Sequence, residues 1–203
     1  MAQGAASDED FSILLDDIRS CRICEALPLG PKPIVQLSAS ARILIAGQAP
    51  GRKAHDKGIP FDDPSGDRLR AWLGVDRDRF YGDPHLAVLP MGFCYPGTGT
   101  SGDLPPRPEC ASAWRRRVLD RLNDLELVLI IGRYAIDWHL PEQAGVSITD
   151  LARDWKSRWP DTLILPHPSP RNNRWLKQNP WFEAEVIPAL QQRVAGILQM
   201  KHA

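Results

Sequence analysis

Four short apolar runs, each closed by Gly, Pro or His, constrain the fold of this chain more than any other feature. They are Ala41–Gly47, Leu86–Met91, Leu125–Ile131 and Thr162–Leu165. Runs this short and continuously apolar, bounded by chain breakers, read as strands buried on both sides. Helical spacing of apolar residues fills the gaps between them, at Asp67–Leu73, Ala111–Leu122 and Tyr134–Leu140. Strands alternating with helices predict an α/β fold whose parallel sheet is covered on both faces. In such a sheet ligands bind beyond the carboxyl ends of the strands. Two turn-rich segments stand at those ends: Gly47-Gln48-Ala49-Pro50-Gly51 and Pro166-His167-Pro168-Ser169-Pro170.

With 203 residues the chain is long enough for one well-buried domain and short for two. Residues 1–10 read as a flexible tail and 11–203 as the domain. Phe11, Leu14, Leu15 and Ile18 have the spacing of an amphipathic helix that runs towards Cys21. The stretch Tyr95–Pro108 is rich in Gly and Pro and too long for an ordinary connection, which marks a functional loop. Lys plus Arg and Asp plus Glu both number 25, so net charge points to no partner class. Its distribution says more. The segment His167–Gln178 carries Arg171, Arg174 and Lys177 without a carboxylate, a candidate phosphate contact. The run Arg115-Arg116-Arg117 reads as a solvated helix face. No apolar run is long enough to span a bilayer, and no secretory signal opens the chain, so a soluble protein in a reducing cytoplasm is expected.

The four cysteines form a second constraint. Cys21-x2-Cys24 is followed after 69 residues by Cys94-x15-Cys110. Two thiolates three residues apart can converge on one point, and the distant pair would complete a four-thiolate set. A [4Fe–4S] cluster, a zinc ion or disulfides would each suit four thiols, and a reducing compartment disfavours the disulfides.

The ordered blocks CRIC, ILIAGQAPG, GIPFDDPSGDRL, FCYPG, PPRPEC, LVLIIGRYA and LPHPSP resemble the uracil-DNA glycosylase superfamily from Leu14 to Pro188. The likeness is greatest to its iron–sulfur branch, often called families 4 and 5. It implies a three-layer α/β/α sandwich with a central four-stranded parallel sheet. It also implies a [4Fe–4S] cluster on Cys21, Cys24, Cys94 and Cys110, with zinc the lesser alternative. The implied activity is a monofunctional DNA glycosylase that hydrolyses the N-glycosidic bond of uracil, or of another deaminated base, and so begins base excision repair. The implied partner is DNA, single- or double-stranded, bound by a monomeric, cytoplasmic, nucleoid-associated protein.

Such an enzyme must swing the base out of the stack, hold it, and stabilise negative charge on it as it leaves. The resemblance assigns Phe61 as the stacking aromatic and His167 as the donor to uracil O2. Ser169 with neighbouring backbone is assigned to a phosphate, and Arg171, Asn172 and Arg174 to the DNA-inserting loop. Pro50 and Gly51 belong to the DNA-facing first turn. Three positions depart from the pattern. Gln48 stands where strongly active relatives have Glu, and Ala49 where uracil-specific relatives have Asp. Pro90 occupies the place expected of a base-reading Asn. An amide can hold a water but cannot take its proton. Asp62 or Asp63, directly after Phe61, is therefore the expected substitute that orients water. The alternative is a catalytically weak or inactive protein of the same fold that binds damaged or single-stranded DNA.

Overall fold

The apolar run at 41–47 forms β1 (Ile43–Ala46), and the other three form β2 (Leu86–Val88), β5 (Leu127–Ile131) and β6 (Thr162–Leu165). All four pair in parallel, in the spatial order β2-β1-β5-β6. This computed structural model describes residues 2–100 and 102–199, with the backbone alone for 2–8.

Alternate residues of each strand feed opposite layers, as the pleat requires. Ile43, Ile45, Leu86, Val88, Leu127, Leu129, Ile131, Leu163 and Leu165 pack into one core. That core is closed by α3 (Pro64–Leu73), α4 (Arg77–Gly82) and α10 (Ile187–Gln199), through Leu69, Trp72, Phe80, Leu190, Val194 and Ile197. Leu44, Ala87 and Leu89 face the other way, against Phe11, Leu14 and Ile18 of α1 (Ala2–Arg19) and against Trp114 and Val118. Ala46, Ile130 and Ile164 share that second face with α7 (Arg133–His139) and α8 (Ile148–Arg153). Both faces are thus covered, and three layers result.

Helix α1 begins at Ala2, within the stretch read as a tail; the backbone of 2–10 continues the helix that carries Phe11 into the core. The sequence reading starts α3 at Asp67, but the helix begins at Pro64. Asp63 caps it by accepting from the Gly66 amide at 2.9 Å, and Pro64 takes the first helical position, where a missing N–H costs nothing. The short α2 (Arg52–Lys57) follows the first motif. Within 95–108 the chain makes a small antiparallel hairpin, β3 (Thr98–Gly99) with β4 (Gly102–Asp103). It then enters α5 (Pro108–Cys110), a π-helical turn (Ala111–Arg115) and α6 (Arg116–Leu119). Helix α9 (Asn173–Gln178) lies beyond β6, and a second π-helical turn (Phe182–Val186) leads into α10. Among the described residues no helix is long and apolar enough to cross a membrane.

Candidate active site

The segments that follow β1, β2 and β6 come together at the carboxyl ends of the strands around a cleft of about 610 Å3. Gln48, Ala49, Pro50, Gly51, Phe61, Asp63, Pro90, His167, Ser169, Arg171 and Asn172 all line it. Sequence positions more than a hundred apart are therefore gathered into one site. Arg174 and Asp62, also expected there, do not line it. Arg174 is exposed on α9.

The first turn is fixed by its backbone: the Met91 amide donates to Gly47 O at 2.8 Å and the Gly92 amide to Gln48 O at 2.9 Å. The Phe61 ring lies against Gly47, with Cζ 3.5 Å from where a Cβ on that glycine would stand. Phe61 has φ 54°, left-handed backbone that a bulky residue adopts only when its surroundings enforce it. Here they do. Arg70 Nη1 donates to Phe61 O at 3.1 Å, Tyr81 Oη to Pro60 O at 2.9 Å and Lys57 Nζ to Asp62 O at 3.1 Å. Gly66 passes so close that a Cβ there would overlap the Phe61 carbonyl. The guanidinium of Arg70 is buried and is balanced by Asp67 at 2.6 Å.

This network corrects the expectation for Asp62. Its side chain is 12% exposed, and its carboxylate is bound by Arg77 and, at 3.2 Å, by Lys57. The hydrogen bond from Arg77 leads in holding its pKa down to about 2. Asp62 is a strut of the Phe61 loop, with its charge already spoken for. Asp63 differs: Oδ1 caps α3 and Oδ2 reaches to within 4.0 Å of a Cβ position on Gly51, in the cleft.

His167 Nδ1 accepts from the Ser169 amide at 3.2 Å, which leaves Nε2 as the protonated nitrogen of a neutral ring. Burial pushes the pKa of His167 below its ordinary value; Asp63 and Asp103 oppose that shift, and Arg171 adds to it. The loop around it is closed on itself. Asn172 Nδ2 donates to His167 O at 2.7 Å, the Arg171 amide to Ser169 Oγ at 3.2 Å, and Arg68 Nη1 to Ser169 O at 2.9 Å.

Two further residues were not legible in the motifs. Asp103, on β4, lines the cleft with Oδ2 3.3 Å from the same Cβ position on Gly51. The only signal for it is its place in a long Gly- and Pro-rich loop. Arg115, expected on a solvated face, is fully buried. The π-helical turn after Cys110 widens the helix and turns Arg115 inward, while Arg116 and Arg117 stay exposed. Arg115 Nη1 donates to Leu89 O and Pro90 O, both at 2.9 Å, and its guanidinium stacks 4.7 Å from the Trp138 ring. Nη2 meets His139 Nε2 at 2.5 Å. Burial lowers the pKa of Arg115 to about 10, and burial followed by the Arg115 charge lowers that of His139 to about 3, so His139 is the neutral acceptor. Pro90 thus lines the cleft while its carbonyl is anchored by Arg115.

All four cysteines line a second, small cavity beside Phe93, Trp114, Pro31 and Pro33. Cys21 and Cys24 follow α1, Cys94 follows β2, and Cys110 ends α5. None is in a disulfide. Cys110 Sγ accepts from the Phe93 amide at 3.3 Å. Burial pushes Cys94 up to about 11 and Cys110 to about 12; Cys21 and Cys24 add to both shifts, and Cys94 adds to that of Cys110. Among the described residues no three His, Cys, Asp or Glu side chains converge on a single metal-ion position.

The chain is similar to a Methanosarcina acetivorans protein of known solution structure, described as a candidate uracil DNA glycosylase. The two are 18% identical, the match covers 78% of this chain and 94% of that one, and the TM-score is 0.48. Residues 34–191, most of the domain that carries the cleft, match the family model of the Uracil DNA glycosylase superfamily, and this protein belongs to that superfamily.

Proposed function

We propose that the cleft excises uracil, or a related deaminated base, from DNA by hydrolysing its N-glycosidic bond without forming a covalent intermediate. The observation that carries this reading is that Phe61 and His167 line one cleft, the aromatic ring held in place by a strained and over-determined loop and the imidazole held neutral with Nε2 protonated. A base swung out of the helix stacks on Phe61. As the bond breaks, negative charge grows on the base, and His167 Nε2–H donates to its O2. A neutral ring suits this task because the hydrogen bond strengthens as charge develops, without a proton leaving the histidine. Ser169 and Arg171, at the rim, meet the phosphates. Gln48 binds the base or water through its amide, and Asp63 orients the attacking water with Oδ2, the oxygen its helix cap leaves over.

The base edge is read without an Asn. Pro90 and Ala49 present no side-chain donor or acceptor, so hypoxanthine and xanthine are expected to be accepted alongside uracil. A gel assay tests the reading. Oligonucleotides with uracil, hypoxanthine or xanthine are incubated with the protein and treated with alkali, and strand scission at the modified base supports it. Tight binding with no scission for any base supports a DNA-binding module instead.

We infer that the four cysteines hold a [4Fe–4S] cluster, which allies the chain with the iron–sulfur branch. The donor set fits: four free thiols, drawn from three separate segments, around one apolar-walled cavity. Four cysteine thiolates are the ligand set of a [4Fe–4S] cluster, and zinc is the lesser alternative for the same set. The chemistry of such a group here is cross-linking: it ties α1 to the start of the hairpin loop at Cys94 and to its end at Cys110. Visible absorption of anaerobically purified protein tests this directly.

A further inference from the structure

Two carboxylates meet across Gly51. A Cβ there would stand 3.3 Å from Asp103 Oδ2 and 4.0 Å from Asp63 Oδ2, so both side chains look into the same small space beside the first motif. Resting on the glycosylase reading above, we propose that Asp103 is a second catalytic carboxylate and shares the attacking water with Asp63. Each accepts one of its hydrogens, which leaves the water's lone pair directed at the sugar carbon.

The two carboxylates are held in complementary ways. Asp63 Oδ1 is committed to the Gly66 amide, so the group cannot turn, and only Oδ2 is left for a ligand. Asp103 stands on a hairpin closed by the pairing of Gly99 with Gly102 and by the Leu104 amide, which donates to Gly97 O at 2.8 Å. Thr98 Oγ1 lies 3.5 Å from Asp103 Oδ1 and is itself paired with Tyr95 Oη, again leaving Oδ2 for the cleft. Tyr95 adjoins Cys94, and the hairpin returns to Cys110, so the thiol cavity fixes both ends of the segment that presents Asp103. Gly51 gives the water its room, because a side chain there would occupy the space between the two carboxylates. A carboxylate pair also answers the chemistry of the first motif. Gln48 and Ala49 offer no proton acceptor of carboxylate strength, and the positive charge that builds on the sugar is stabilised by two nearby anions.

In the step itself the bond between C1′ and the base nitrogen breaks, and its electron pair leaves with the base. The water oxygen forms the new bond to C1′, and its proton passes to a carboxylate and then to solvent. Substrate and one water give free base and an abasic sugar, with no other reactant.

The test is single-turnover excision of uracil by excess wild-type, Asp63→Asn, Asp103→Asn and doubly substituted protein. Affinity for DNA carrying 2′-fluoro-2′-deoxyuridine is measured in parallel. Asn matches Asp in size and caps a helix equally well, so both variants are expected to melt as the wild type does. Each single substitution should slow excision about a hundredfold at nearly unchanged affinity. The double variant should be only about threefold slower than the slower single one, because the two groups act as a unit. Asp103→Glu should recover part of the loss. An Asp103→Asn protein as fast as the wild type would overturn the proposal, as would losses that simply multiply. A wild type that binds the fluorinated DNA and excises no base overturns the glycosylase reading itself, and this proposal with it.

Discussion

Replacing His167 with alanine is the sharpest single perturbation of the site. The ring supplies one hydrogen-bond donor, Nε2–H, since Nδ1 is occupied by the Ser169 amide. A donor aimed at developing negative charge in a dry site is worth about 2.7–4 kcal/mol, or about 10²–10³ in rate. His167→Ala should therefore slow single-turnover excision by that factor. Affinity for uncleavable DNA should fall only slightly, because the ground-state carbonyl carries little charge. His167→Asn, which keeps a donor, should recover part of the rate. The pH dependence follows from the same geometry. Burial holds the imidazole pKa below its usual value, so the ring is neutral at pH 7 and above and the rate should be flat there. As pH falls through that depressed value, protonation of Nδ1 removes its bond to the Ser169 amide, and the rate should decline. An alanine variant within about threefold of the wild-type rate, with its melting curve and DNA affinity unchanged, would refute this assignment.

Other consequences concern the supports of the site. Asp62→Asn should lower the melting temperature while slowing excision less than tenfold, since the group carries no proton in the reaction. Because the folded pKa of Asp62 is depressed to about 2 from an ordinary 3.8, its stabilisation is present above pH 3.8 and fades as pH falls towards 2. Urea titrations of wild type and variant should converge across that window. His139 is held neutral by burial and by Arg115, its pKa lowered to about 3 from 6.5. Its contribution to stability is complete above pH 6.5 and is lost as pH falls towards 3, at up to about 1.4 kcal/mol per pH unit; His139→Gln should flatten that slope in acid denaturation curves. Cys94→Ser should abolish the visible absorption of anaerobically purified protein and lower both melting temperature and excision rate, the last because the hairpin bearing Asp103 loses its anchor.

The sheet was readable in the sequence because strands buried on both faces leave an unbroken apolar run, as at Ile43–Ala46 and Leu127–Ile131. The ends of the elements were less so. Helix α3 begins three residues before its first clear apolar repeat, although Asp63-Pro64 carries both a cap and a first-turn proline. Phe61, Asp63 and His167 were found from motif order, and the cleft gathers them. Asp62 and Asp63 stand as alternatives in the sequence because adjacent carboxylates look alike there; only the fold decides that one meets Arg77 and Lys57 while the other caps a helix and faces the cleft. Arg115 was misread for a related reason. A π-helical turn changes the helical register by one residue, so the period of 3.6 that places an arginine run on a solvated face no longer applies. Asp103 reaches the cleft through a hairpin of two-residue strands, too short to leave any pattern.

The central claim is that Phe61 and His167 close on one flipped base while water attacks the sugar beneath it. Mass analysis of a uracil-containing strand after incubation with the protein tests this most directly. Free uracil is expected, together with an unbroken strand that has lost the base and gained one water. A strand recovered at its original mass, under conditions where the protein is bound to it, would refute base excision by this cleft.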